Sequence, residues 1–230
     1  MANYTLGIVS HVDRQEQTAA LSAAVHADRV LVDDGSVGVT QNHLAVLIAL
    51  VQSAQRTGCE WIVVLEDDAQ PVTGFHQQLS AALDVAPSRI VSLYNGTGHP
   101  ANRQAAFAQA AAREDVYWIL HKRLRHAVGY AVHTSVMALG LHRHIAAFAR
   151  QPHPWPPDDA ITDFARRNAI LVSYTNPSLV DHEDGISMIK TRNSRGMPML
   201  ARRQPRKAHW VGTRMSWRGQ PLIPIGLDKA

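Results

Sequence analysis

Cysteine is all but missing from these 230 residues: Cys59 stands alone. A single thiol excludes an internal disulfide framework and suits a reducing compartment. Following Gly58 at the approach to an apolar run, Cys59 reads as a small core residue rather than a nucleophile. Long apolar runs are missing as well, none nearing the ~20 residues of a membrane span. The opening "MANYTLGIVSHVDR" has neither a basic leader nor a cleavage site, so the expectation is a cytoplasmic chain without a signal peptide. No internal repeat is found.

What is present suits a soluble globular protein: 46% hydrophobic residues and a mean hydropathy of −0.16. The length allows one large domain, or one domain with an appendage. Charge is unevenly spread. From Lys190 onward ten Lys and Arg face the single Asp228, a net of +9; the whole chain is +4, so residues 1–189 carry −5. The expected division is an acidic body over 1–189 and a basic, Trp-containing extension over 190–230.

The body alternates strand and helix patterns. Strands are expected at "YTLGIVS" (4–10), "DRVLVDD" (28–34), "WIVVL" (61–65) and 89–93, with helices at 15–25, 41–58 and 75–83. Gly58 is a plausible stop for the second helix. Farther on, 101–115 reads as helix, "VYWIL" (116–120) and "AVGYAVH" (127–133) as strands, and 134–150 as one helix with Thr134 as N-cap. "QPHPWPP" (151–157) is a stiff loop, since its four prolines remove donors and fix φ. It leads into the helix "DDAITDFARRN" (158–168). A last strand lies within 169–185 and ends in an acidic, histidine-bearing turn; after Gly185 the pattern decays. Such alternation predicts an α/β fold on a mostly parallel sheet.

In such sheets ligands sit at the carboxyl ends of strands. Two acidic clusters fall there, Asp33-Asp34 and Glu66-Asp67-Asp68. Crowded carboxylates need a cation, and hard oxygen ligands suit Mg²⁺ or Mn²⁺, which can hold a diphosphate as leaving group. The bland reading is that Asp67 and Asp68 cap the next turn. Asp158 and Asp159, at the start of a helix, either complement its dipole or supply a general base.

"LVDDGS" (31–36) and "VVLEDDA" (63–69) resemble the nucleotide-side and metal-binding signatures of GT-A glycosyltransferases, the second in the "LEDD" form of glycosyltransferase family 25, the lipopolysaccharide and procollagen galactosyltransferase type. "GYAVHTSVMAL" (129–139), "PPDDAITDF" (156–164) and "TNPSLVDHEDGIS" (175–187) are similar to further stretches of that family, in its order, over roughly 4–188. The resemblance implies a GT-A-like, Rossmann-like domain binding a nucleotide-sugar, UDP-sugar by expectation, with a divalent metal. Carried over by position, Asp68 is the metal ligand and Glu66 lies near the ribose or a metal-bound water, supported by Asp67. Asp33 or Asp34 touches the nucleoside. His182 joins the metal or diphosphate, or is structural. Asp159 or Asp158 is the base of an inverting transfer. The family's "GCxxSH" helix start is replaced by "GVTQNHLAVL" (38–47), which leaves Asn42 and His43 either on the diphosphate or in a plain helix start.

The extension mixes Lys and Arg with tryptophan, the combination by which nucleic acids are held through phosphates and stacked bases. Arg202, Arg203, Arg206, Lys207, Trp210, Arg214 and Trp217 are the expected contacts. The favoured acceptor is therefore 5-hydroxymethylpyrimidine in DNA, as in bacteriophage genomes modified in the host cytoplasm, with the base extruded for reaction. A saccharide or lipopolysaccharide acceptor at an anionic membrane surface is the alternative. A different class is a nucleic-acid-binding module with an inert α/β body.

Overall fold

The computed structural model describes residues 1–96, 104–151, 155–183, 207–219 and 221–226. The chain opens with β1 (Tyr4–His11), a 3₁₀ turn (Val12–Arg14) and α1 (Gln15–Ala24), followed by β2 (Arg29–Asp33), α2 (Val39–Thr57) and β3 (Trp61–Glu66). Ile62, Val63, Val64 and Leu65 are wholly buried. A strand apolar at every position is covered on both faces, as central parallel strands are. Each such side chain contributes about 1.5–3 kcal/mol by leaving water. α2 stops where the reading of the sequence placed its end, at Gly58 in the left-handed region (φ 71°), donating its N–H to Ala54 O. It lies directly on β1: a Cβ at Gly7 would stand 2.9 Å from Val46 Cγ1.

β4 (Ala69–Pro71), α3 (Phe75–Asp84), β5 (Ile90–Ser92), α4 (Gln104–Ala111), β6 (Trp118–His121) and β7 (Gly129–His133) follow. The helix expected over 134–150 is two helices, α5 (Thr134–Ala138) and α6 (Leu141–Ala149), divided by Gly140 at φ 103°. The cap is His133, whose side chain accepts the Ser135 N–H, and not Thr134. Last come α7 (Pro157–Arg167), β8 (Val172–Thr175), β9 (Val180–His182) and β10 (Leu222–Pro224).

The sheet has eight strands in the order β10-β6-β8-β5-β7-β3-β1-β2. β2, β1, β3, β5 and β8 run one way; β7, β6 and β10 run the other. It is a mixed α/β sheet, mostly parallel with antiparallel insertions. One face packs on α2, α6 and α7 through Leu47, Leu50, Ile145, Ile161 and Phe164. The other meets α1 and α3 through Leu21, Phe75 and Leu79. β4 and β9 form a separate antiparallel ribbon.

The boundary expected at 189 lies outside the described residues. Those described beyond it pack on the body. The Trp217 ring lies 5.5 Å from that of Trp118, and β10 pairs with β6, Leu222 opposite Trp118. Among the described residues no helix is long and apolar enough to cross a membrane.

Candidate active site

β1, β2 and β3 are parallel neighbours, with His11 paired to Asp33 and Val9 to Glu66. Their carboxyl ends therefore deliver both acidic clusters to one edge. What sits between the crowded carboxylates is Arg14. The 3₁₀ turn after β1 swings it over the end of β3, where Nη1 donates to Asp67 Oδ1 and to Asp68 Oδ2, each at 2.8 Å. The His11 N–H donates to Asp67 Oδ2 at 2.8 Å.

His182 reaches the same place by a different route. In the β4–β9 ribbon Ala69 pairs with His182, and the Glu183 N–H donates to Asp68 O. This brings His182 Nε2 to 3.3 Å from Asp68 Oδ2. Burial opposes ionisation of Asp68, but the hydrogen bonds and charges of His182 and Arg14 outweigh it and hold the carboxyl below its ordinary range. In Asp67 burial prevails and raises it, against the His11 N–H and Arg14.

Among the described residues no three His, Cys, Asp or Glu side chains converge into a ready-made metal centre. Asp68 Oδ1, however, is buried without a hydrogen-bond partner. An orphaned carboxylate oxygen beside an imidazole fits a cation of the Mg²⁺ type, which takes one or two carboxylates and completes its shell with water and substrate phosphates. Asp68 and His182 are the residues that could hold it.

Glu66, by contrast, faces inward partners. His43 Nε2 lies 3.2 Å from Glu66 Oε1, and His43 Nδ1 lies 3.3 Å from the Tyr130 hydroxyl. Tyr130 is wholly buried, and its phenol is pushed far up by that burial and by the nearby charges of Glu66 and Asp158. Asn42 donates to Ser10 O and Leu31 O. Asn42 and His43 are thus interior polar residues of α2 engaged with the strand ends, which favours the plain helix start of the two readings the sequence left open.

Asp33 is engaged by its own loop. Oδ1 accepts from the Gly35 and Val37 N–H groups and Oδ2 from Gly38 N–H, at 3.0, 3.2 and 3.0 Å. Asp34 is exposed, and its carboxylate accepts the Ser36 N–H at 2.9 Å. Its carboxyl is held below the usual range by the Ser36 hydroxyl and N–H.

α7 packs beside α2 and α6 on the same face of the sheet. Thr40 Oγ1 at the start of α2 donates to Trp155 O at 2.6 Å, docking the loop that precedes α7. Its first two acids are then treated unequally. Asp159 is exposed. Asp158 keeps some surface, but its carboxyl lies deep enough that burial, then Asp159 and Glu66, push it up to about 7. That is an ordinary range for a general base at neutral pH.

The expected nucleic-acid contacts separate. Arg202, Arg203 and Arg206 lie outside the described residues. Lys207 Nζ donates to His182 O at 2.8 Å, a cation beside the acids. Trp210 O accepts the Ser178 N–H. Arg214 stacks 4.2 Å over Tyr117, reaches the Trp210 ring, and donates to Asn176 O and Glu114 O. Trp217 is buried, with its indole N–H on Gln78 Oε1. Trp217 and Arg214 fasten the extension to the body, and a ring packed on Trp118 is not presented to a base.

Sequence reasoning missed Arg14 and Tyr130. Arg14 had a signal: it is the first Lys or Arg of the chain and falls just past the first strand. Tyr130 had none, because its importance depends on His43 of α2 reaching its hydroxyl.

No protein-family model matches the chain, and no curated protein matches it. Among solved structures it is similar to A197 from STIV, with a TM-score of 0.47 at 8% identity over 84% of this chain and 100% of that one. It is also similar to a glycosyltransferase involved in the glycosylation of the major capsid of PBCV-1, with a TM-score of 0.29 at 10% identity over 73% and 92%. Likenesses this distant carry no statement about activity.

Proposed function

We propose that the chain is a glycosyltransferase that takes a sugar from a nucleotide donor, by expectation a UDP-sugar, and moves it to an acceptor hydroxyl. The observation that carries this reading is the gathering of acids from β2, β3 and α7 at one carboxyl edge of a mostly parallel sheet. That edge is where such sheets bind nucleotides.

Roles follow from the surroundings of each residue. Asp34, exposed beside a Gly-rich turn, contacts the nucleoside, while Asp33 shapes the loop that presents it. Asp158 is the base. Its carboxylate takes the proton from the acceptor hydroxyl as that oxygen bonds to the anomeric carbon. The bond from that carbon to the diphosphate breaks, and the nucleoside diphosphate leaves with the electron pair. Asp68 and His182 would hold a divalent cation, which would supply positive charge for the diphosphate. Glu66, steadied by His43, stands near Asp158 and helps to raise its basicity. Lys207 contributes a further cation at the rim.

The DNA acceptor draws support from the charge of the extension alone, and the engagement of Arg214 and Trp217 with the body narrows it to the remaining basic residues. The test incubates the protein with Mn²⁺ and a panel of nucleotide sugars. Acceptors are duplex DNA bearing 5-hydroxymethylcytosine or 5-hydroxymethyluracil, and lipopolysaccharide-type saccharides. Free nucleoside diphosphate and acceptor mass are both read. Nucleoside diphosphate release with a sugar mass on either acceptor is the expected result. No release with any donor would leave the inert binding body as the better account.

A further inference from the structure

The Arg14 guanidinium occupies a position with two claimants. It donates to one oxygen of Asp67 and one of Asp68, both at 2.8 Å, and is itself largely buried. Those oxygens are what a divalent cation would compete for. The other Asp68 oxygen is buried and unpartnered, and His182 Nε2 stands at 3.3 Å from Asp68. Half of a cation site is therefore unsatisfied and half is occupied by a side chain.

Two facts make Arg14 displaceable. First, it arrives from a short 3₁₀ turn at the surface, whose three residues all keep some exposure, and not from a packed strand or helix core. Second, guanidinium binds phosphate as well as carboxylate in a two-point fork, so a diphosphate offers it an alternative partner of higher charge. A cation of the Mg²⁺ or Mn²⁺ type, for its part, gains little from two carboxylates already neutralised by a guanidinium.

We propose that Arg14 is the resident counter-ion of Asp67 and Asp68 and competes with the divalent cation, so that metal and diphosphate bind together and neither binds well alone. The diphosphate draws the guanidinium away, the freed carboxylate oxygens accept the cation, and the cation in turn needs the phosphate oxygens to fill its shell. Arg14 is in this sense a positioning residue that couples two ligands. The inference rests on the donor reading above only for the identity of the diphosphate.

Mn²⁺ binding by electron paramagnetic resonance tests it without any turnover. The wild-type protein alone is expected to bind Mn²⁺ weakly, and saturating UDP to tighten binding at least tenfold. Arg14→Gln is expected to bind Mn²⁺ at least tenfold more tightly than wild type in the absence of nucleotide. In that variant UDP adds less, and Asp68→Asn on the same background removes the site. Tight stoichiometric Mn²⁺ binding by the wild type alone would overturn the proposal, whether or not Arg14→Gln folds. So would an Arg14→Gln protein of native circular dichroism that binds Mn²⁺ no better than wild type. Should UDP, GDP, CDP and ADP all leave wild-type Mn²⁺ binding unchanged, the coupling is overturned. Tighter binding by Arg14→Gln would then still establish the competition, and the nucleotide reading would be what failed.

Discussion

Two pairs of acids end the two strands that flank β1, and they are neutralised in opposite ways. Asp33 is satisfied from within: three backbone N–H groups of the next five residues close on its carboxylate. Asp67 and Asp68 are satisfied from a distance, by Arg14 more than fifty residues away. Backbone donors are fixed by the loop they belong to, so the Asp33 contacts last as long as the loop does. A side chain can leave and return. The difference separates a carboxylate that builds the fold from a pair that can serve a ligand, although both read alike as "DD" after an apolar run.

The sharpest way to break the comparison is to remove the acid that neither pair contains. Asp158→Asn should lower kcat by about 10²–10⁴-fold, read as nucleoside diphosphate release. In the wild type, kcat/KM should rise with pH through about 7 as Asp158 loses its proton, and the variant should lack that limb. Stability should respond in the other direction. Because the folded pKa lies above the ordinary 3.8, the folded state holds the extra proton between the two values, and stability falls as pH climbs through that window. Asp158→Asn should remove this slope and be the more stable protein above pH 7. The gain is up to about 4 kcal/mol, less what the exposed part of Asp158 already recovers from solvent.

Next in size is Asp68→Asn, expected to cost about 10²-fold or more in turnover, with a smaller loss of thermal stability as Arg14 and His182 lose one charged partner. Asp33→Ala should show the reverse pattern. Leaving the three loop N–H groups without their charged acceptor should cost about 2–3 kcal/mol in urea unfolding, with lost activity following lost fold. Smallest is Asp34→Ala: no change in melting, and a donor KM about tenfold higher with kcat kept. If Asp33 and Asp34 variants behaved alike, the distinction between the builder and the binder would fail at β2.

Much of this was legible in the amino-acid order. β1, β2, α2 and β3 show themselves because apolar side chains recur with the right period and Gly58 marks a stop. The acids are visible because three in a row directly follow the apolar run that ends at Leu65. What pairs with them is not visible: the sequence carries no sign that the turn after β1 aims Arg14 at β3, or that Ala69 will lie opposite His182. β4 and β9, three residues each, are too short for any alternation to register. Gly140 hid a helix break inside a helical pattern, since glycine is tolerated there until a positive φ is required. β10 sits in a basic stretch and becomes a strand only because β6 offers it an edge.

That last pairing sets a timetable. Ribosomes make residue 118 long before residue 224, so β6 waits as a bare edge, with the Trp118 indole N–H lacking the Arg218 carbonyl it finally donates to. Bare edges are templates for other chains, and incomplete sheets are where nascent proteins misassemble. The flank farthest from the acids is the one that needs shelter during synthesis.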